Sequence, residues 1–324
     1  MHTEWPCKEV ASNFMLGVKR TLNTDDKGVR TMDLTMEAYV EGVYNAFKEH
    51  TPKVVDSPAE PGMLLSLEQD GVTEAEIKRV LDRGYQSAVG CCLWAARGVF
   101  PETLYAVGQC CKLMSKPSEK AWKVIMRVIT WMYQRRKSGI RFRSDGNDVP
   151  FLMSDATNVG DPRDSKRAYG YAVMWMGGPI AAAAKKLEHS SSATAANEYM
   201  ALSHATKQAV WIRNVLKDMG LLELIKQPTV IFADNKTANS WTCSDKVTAG
   251  NMWILQSYHY VKEMAEGGEK LITVKYVRSC YNLADLFTKA VSREVLQKLM
   301  GYLCGLITLT SLLKDMIKDQ GGQS

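Results

Sequence analysis

Two apolar runs in the second half of the chain, Phe151-Leu152-Met153-Ser154-Asp155 and Val230-Ile231-Phe232-Ala233-Asp234, each end on an aspartate. Short apolar runs of this kind read as buried strands. If the two strands are parallel neighbours, both carboxylates emerge at the carboxyl edge of one sheet, where α/β folds place ligands. Around them, Tyr169 to Met176 and Ile180 to Lys186 flank Gly177-Gly178-Pro179 and predict a hairpin. Ala195 to Met219 and Trp253 to Glu266 read as helices, Leu271 to Val277 as a further strand, and helices close the chain. A meander followed by alternating helices and strands predicts a mixed α/β sheet.

Two further acids fit this frame. Glu198 lies in line, at helical spacing, with Ala201, Leu202, Ala205, Ala209, Ile212 and Leu216. It therefore faces the core, where a carboxylate is costly unless something cationic meets it. Asp285 sits similarly inside Leu283-Ala284-Asp285-Leu286-Phe287, at the start of a helix. Singly, each acid has an ordinary explanation as a turn or helix cap. If all four converge without a basic partner for each, a hard divalent cation with oxygen ligands is expected, Mg²⁺ or Mn²⁺. Two such ions ~3.5–4 Å apart suit phosphodiester hydrolysis.

The chain has 324 residues, 46% of them hydrophobic and 23% charged, which excludes a disordered chain and allows roughly two domains. Eight cysteines are too few for a disulfide scaffold, and four of them form the adjacent pairs Cys91-Cys92 and Cys110-Cys111. No C-x-x-C occurs, which argues against a zinc knot. No apolar run reaches the ~18 residues of a membrane span. Met1-His2-Thr3-Glu4-Trp5-Pro6 lacks the pattern of a signal peptide. The expectation is an intracellular protein, cytoplasmic or nuclear, without a membrane partner.

The formal charge of +6 is uneven. Between Lys112 and Arg143 stand ten basic residues and one acid, Glu119, so this stretch carries +9 and the remainder −3. Within it, Ser118 to Gly139 reads as one helix, with Ala121, Ile125, Val128 and Met132 on one side. Lys120, Lys123, Arg127, Gln134 and Lys137 follow the same period on another. That stripe is either a solvated face or a track for a phosphate backbone. A polar break, residues 144–150, then separates this first region from the second.

Several short motifs occur here in an order that resembles the C-terminal part of copia-type retrotransposon Pol polyproteins. Ser154-Asp155-Ala156-Thr157-Asn158-Val159-Gly160-Asp161 is similar to the S-D-A-D-W-A-G-D opening of their ribonuclease H domain. Ser165-Lys166-Arg167, Gly170-Tyr171, Gly177-Gly178-Pro179-Ile180 and Lys185-Lys186 continue the likeness. Glu198-Tyr199-Met200-Ala201-Leu202 and Ala209-Val210-Trp211-Ile212-Arg213 resemble E-Y-M-A-L and A-x-W-L-R. Ala233-Asp234-Asn235 and Leu283-Ala284-Asp285-Leu286-Phe287-Thr288-Lys289 resemble C-D-N and L-A-D-x-F-T-K. In the first half, Phe14-Met15-Leu16-Gly17-Val18, Tyr85-Gln86-Ser87-Ala88-Val89-Gly90, Ala106-Val107-Gly108 and Met114-Ser115-Lys116-Pro117 resemble the end of the reverse transcriptase.

The resemblance implies a ribonuclease H-like mixed five-stranded sheet with helices on both faces over 149–300. A mostly helical α+β reverse-transcriptase region (thumb- or connection-like) precedes it over 1–143, and a helical tail follows over 301–324. It implies that Asp155, Glu198, Asp234 and Asp285 are catalytic and hold two Mg²⁺ or Mn²⁺ ions. It further implies an RNA–DNA hybrid as substrate, gripped by Lys120, Lys123, Arg127 and Lys137, and an upstream palm and fingers as partners. The expected activity is a metal-dependent endoribonuclease that cuts the RNA strand of the hybrid.

The departures set the alternative. The Y-x-D-D hairpin is absent, so the chain alone is not expected to polymerise DNA. Thr157 and Asn158 replace the second Asp and the Trp of S-D-A-D-W, and Ala196 replaces a Glu two residues before Glu198. A catalytically decayed or co-opted remnant that binds nucleic acid is therefore the competing reading. A protein-interaction role for the tail is a third, with a helix carrying Leu303, Leu306, Ile307, Thr310 and Leu313 on one side. His259 is read as a surface or packing histidine, while Asn235 and Ser154 adjoin the acids and are open to substrate contact.

Overall fold

The computed structural model describes residues 13–66, 72–161, 164–189, 191–246, 248, 251–309, 311, 312 and 314. Its first region opens with a small antiparallel sheet. Strands β1 (Phe14–Met15) and β2 (Val18–Thr24) meet at Leu16-Gly17, both at positive φ, 54° and 84°. That is the backbone of a two-residue hairpin turn, and it folds the stretch from Phe14 to Thr24 into two paired strands. Strand β3 (Arg30–Thr35) follows, and β4 (Ile140–Arg143) adds to its free edge from the far end of the basic stretch. Arg141 and Arg143 in β4 are held by ion pairs to Asp33 and Asp145.

Between β3 and β4 lie helices α1 (Glu37–Phe47), α2 (Glu74–Asp82), α3 (Tyr85–Gly98), α4 (Leu104–Cys111) and α5 (Glu119–Gln134). Ser118 caps α5 by accepting from the Ala121 N–H at 3.1 Å. Helix α5 is the expected basic helix, ending at Gln134 and not at Gly139, and it packs most of its circumference into this region while Lys120, Lys123 and Gln134 stay exposed. Every residue from Ala121 to Met132 except Lys123 and Arg127 is buried.

The second region is the mixed five-stranded sheet expected from the sequence. Its strands are β5 (Phe151–Ala156), β6 (Ala168–Trp175), β7 (Gly178–Lys186), β8 (Thr229–Ala233) and β9 (Ile272–Tyr276), in spatial order β7-β6-β5-β8-β9. The first three are antiparallel, and β8 and β9 add in parallel. Strand β5 is central and buried at all six positions, which explains its unbroken apolar run. Met176-Gly177, again both at positive φ, makes the hairpin turn between β6 and β7.

Helices α6 (Thr194–Asp218), α7 (Lys236–Trp241), α8 (Leu255–Glu266), α9 (Asp285–Thr288) and α10 (Arg293–Leu303) complete the unit. One core lies between α6, α8 and one face of the sheet, built on Leu152, Val173, Tyr199, Leu202, Ile231 and Tyr258. The other face, with Phe151, Met153, Ala172 and Met174, belongs to a core shared with α3, α4 and α5 of the first region.

The tail departs from expectation. Helix α10 stops at Leu303, and Gly305 turns the chain at φ +70°, where an added Cβ would fall 2.0 Å from the Arg141 carbonyl oxygen. Leu303, Cys304, Leu309 and Leu312 are buried in the shared core, whereas Leu306 and Ile307 are exposed. Thr310 and Leu313 lie outside the described residues. Among the described residues, no helix is long and apolar enough to cross a membrane.

Candidate active site

The parallel register of β5 and β8 pairs Ser154 with Ala233. Asp155 and Asp234, each one residue further on, therefore stand side by side at the carboxyl edge of the sheet. Glu198 reaches the same edge from α6, the helix packed across β5, and its Oε2 accepts a 2.9 Å hydrogen bond from the Ala156 N–H. Asp155, Glu198 and Asp234 each offer a carboxylate oxygen, and these atoms all lie within 4.8 Å of one another. Asp285 opens α9 on the other side of Asp155. The Thr288 hydroxyl, from the last residue of the same short helix, donates to Asp155 Oδ2. All four acids singled out in the sequence thus come together.

Burial and mutual repulsion shape their protonation. Burial, then the neighbouring Asp285 and Asp234 charges, hold Asp155 well above the usual carboxylate range against Lys289 and Thr288. Glu198 is pushed up to about 9, first by burial and then by Asp155 and Asp234. Asp285 is raised to about 6 by burial, with Lys289 opposing. Burial alone would lower Lys289, but the Asp155 and Asp285 charges hold its ammonium above its ordinary range. Lys289 Nζ lies 2.9 Å from Asp285 and 4.0 Å from Asp155.

Among the described residues, four crowded carboxylates face one ammonium, which leaves the site short of positive charge. Asp285 Oδ1 is buried and accepts no hydrogen bond. Oxygen donors in this number, close together and under-compensated, fit a hard divalent cation.

Residues outside the expected set also belong here. Lys289 was visible as part of the L-A-D-x-F-T-K likeness, and its place four residues after Asp285 on a helix was a usable signal. Ser279, in the loop after β9, donates to Asp234 Oδ2 at 2.5 Å; nothing in the local sequence marks it. Asn282 donates to the Ser154 carbonyl at 3.0 Å and ties that loop to β5. Asn235 caps α7 by accepting from the Ala238 N–H, and Ser154 is buried. His259 is exposed on α8, edge-on to Tyr258.

The basic stripe of α5 is partly engaged by protein groups: Arg127 is half-buried, whereas Lys120, Lys123 and Gln134 are exposed, and Lys137 lies past the end of the helix. The connector spanning residues 52–64 lies along it. Arg127 donates to the Ser57 carbonyl at 2.9 Å and pairs with Asp56 at 2.7 Å and Glu60 at 3.4 Å. Thr130 donates to the Pro52 carbonyl, Gln134 bonds both backbone groups of Val55, and Lys120 donates to the Leu64 carbonyl at 3.3 Å. Lys123 is exposed, and Lys137 is exposed 4.0 Å from Glu37. The stripe therefore holds the connector through Arg127, Gln134 and Lys120, while its exposed ammonium groups remain at the surface.

No family model matches the chain. Over 277 residues, 84% of its length, it is 26% identical to a retrovirus-related Pol polyprotein from transposon TNT 1-94 of Nicotiana tabacum. It is 28% identical over 199 residues, 61% of its length, to a retrovirus-related Pol polyprotein from transposon RE2 of Arabidopsis thaliana. The chain spans only 20% and 13% of the lengths of these two relatives. A shorter stretch of 128 residues, 40% of the chain, is 30% identical to secreted RxLR effector protein 161 of Plasmopara viticola and covers 90% of it. Among solved structures, LC11-RNase H1 isolated from compost aligns over 48% of this chain and 99% of its own, with 10% identity and a TM-score of 0.35. Over most of its length, the chain's homologues are thus retrovirus-related Pol polyproteins of transposons.

Proposed function

We propose that the chain is a metal-dependent endoribonuclease that cuts the RNA strand of an RNA–DNA hybrid, as the nuclease portion of a transposon polyprotein. The observation that carries this reading is the meeting of Asp155, Glu198 and Asp234 at one sheet edge, with Asp285 beside Asp155. These four would hold two Mg²⁺ or Mn²⁺ ions. When bound, such ions supply an activated water and charge stabilisation at the leaving oxygen of a phosphodiester.

The protein's own residues supply positioning. The Ala156 N–H fixes Glu198, Thr288 fixes Asp155, and Ser279 fixes Asp234. Asp234 is the least buried of the triad, which leaves it the acid most accessible to an incoming strand. No side-chain nucleophile is required, because the attacking group in this chemistry is water.

The test is cleavage of a labelled hybrid in Mg²⁺ by the wild type, by Asp234→Asn, and by the wild type in EDTA. Cutting of the RNA strand alone, lost in both controls, is the expected result. A folded chain that binds the hybrid and never cuts it would replace this reading with that of a binding remnant.

A further inference from the structure

We infer that a lysine-lined cleft beside the carboxylates, formed jointly by the two regions of the chain, binds the phosphates of a nucleic-acid strand that continues into the candidate active site. This rests on the nuclease reading for the identity of the strand. The cleft has a volume of about 250 Å³. Lys112 of the first region and Lys166, Lys185 and Lys186 of the second line it, with Asp161 as the lining acid away from the carboxylate site. Thr288 and Lys289 form one end of it, and these same side chains touch Asp155 and Asp285. The cleft therefore adjoins the carboxylate cluster across these two residues.

Asp161 determines how the lysines are presented. Its side chain is 2% exposed, and its Oδ2 lies 3.1 Å from Lys112 Nζ and 3.2 Å from Lys186 Nζ. One buried carboxylate thus fixes two ammonium groups, one from each region, which removes much of the rotamer freedom that weakens ordinary surface lysines. Asp164, at the rim, pairs with Lys186 at 2.6 Å. Four lysines against these two aspartates leave a net positive cleft. Phosphates bind such a surface through charge and counterion release, without reading sequence.

The walls suit a strand better than a free anion. Tyr105, held by its hydroxyl to the Met63 carbonyl at 3.0 Å, and the apolar Ala168, Ala184 and Phe287 line the space between the charges. Apolar surface of this kind packs sugar and base, as in other single-strand grooves. The location also differs from the α5 stripe, where Arg127 is engaged by protein groups.

The experiment measures binding of a fluorescent RNA–DNA hybrid to the full chain carrying Asp234→Asn, which blocks cutting during the measurement, with and without Lys166→Gln plus Lys185→Gln. Expected is a roughly tenfold loss of affinity at low salt and a salt dependence shallower by about two, with thermal melting unchanged. Unchanged affinity and slope in a folded double variant would overturn the inference. So would a nucleoside monophosphate that displaces the hybrid at micromolar concentration, because the cleft would then be a small-nucleotide site. Wild-type cleavage is scored in parallel. Lysine-dependent binding without cleavage keeps the cleft and removes the nuclease reading, while cleavage with lysine-independent binding does the reverse.

Discussion

The Lys289 ammonium, four residues after Asp285 and 2.9 Å from its carboxylate, is the cation that the carboxylate cluster carries within its own chain. It also reaches Asp155 at 4.0 Å, so one positive charge is divided between two acids. Replacing it by an uncharged group leaves the acids to repel one another unopposed. Lys289→Met is expected to lower the melting temperature of the metal-free protein at pH 8 and to enlarge the rise produced by Mg²⁺. Scanning calorimetry with EDTA and with Mg²⁺ measures both, and equal values for wild type and variant would show that Lys289 does not neutralise the site.

The raised acids set a pH dependence of definite sign. An acid with a higher pKa in the folded state binds more protons folded than unfolded, so stability falls as pH rises between the two values. For Glu198 that window runs from the ordinary carboxylate value of 4.5 to about 9, and for Asp285 from 3.8 to about 6. The metal-free protein should therefore lose stability steadily from about pH 5 to pH 9. Bound cation requires the ionised acids, so stabilisation by Mg²⁺ should grow over the same range. Glu198→Gln should flatten the metal-free slope, stabilise the apo protein at pH 8 and abolish cleavage. Urea unfolding at several pH values, with and without Mg²⁺, is the measurement.

Gly170 is paired directly opposite Asp155, and it lacks a side chain for a reason of packing. A Cβ there would fall 2.4 Å from Phe287 Cβ and 3.3 Å from the Ala284 carbonyl oxygen. The short helix that carries Asp285 and Thr288 lies directly on this glycine. Gly170→Ala should force that helix away from the sheet, at a cost of about 1–3 kcal/mol. Because Asp285 and Thr288 move with it, cleavage should fall more than stability does. An activity loss no larger than the unfolded fraction would show that the helix does not need this close approach.

Much of this arrangement is legible in the sequence because it is local. Strands β5 and β8 are apolar runs ended by an aspartate, and their edge position follows from a parallel pairing that short strands between helices favour. Glu198 stands out because a carboxylate on an otherwise apolar helix face calls for an unusual partner. What the sequence hides is set by distant chain. Ser279 reaches Asp234 across 45 residues, and the connector at 52–64 bonds to α5 across 56 to 79 residues. The helical period of α5 shows that Lys120, Lys123, Arg127 and Lys137 share a face. It carries no information about a polar segment that returns to satisfy that face. The end of α10 was likewise hidden, because Gly305 turns where the Arg141 backbone, from another sheet, leaves no space for a side chain.

The half-buried Arg127 of the stripe gives the last prediction. Arg127 makes one hydrogen bond to the Ser57 carbonyl and ion pairs with Asp56 and Glu60, all in the connector. Both acids are more than half exposed at their side chains, so the ion pairs themselves count for little and the backbone contact dominates. Arg127→Ala should cost about 1–2 kcal/mol of stability by freeing the connector and leaving a carbonyl without its donor. It should not change the salt dependence of hybrid binding, whereas loss of a phosphate contact would reduce that slope by about one. Denaturant unfolding and a salt titration of binding on the same variant separate the two roles. A reduced slope with full stability would put Arg127 on the nucleic acid after all, and would require the connector to lift from α5 when the substrate binds.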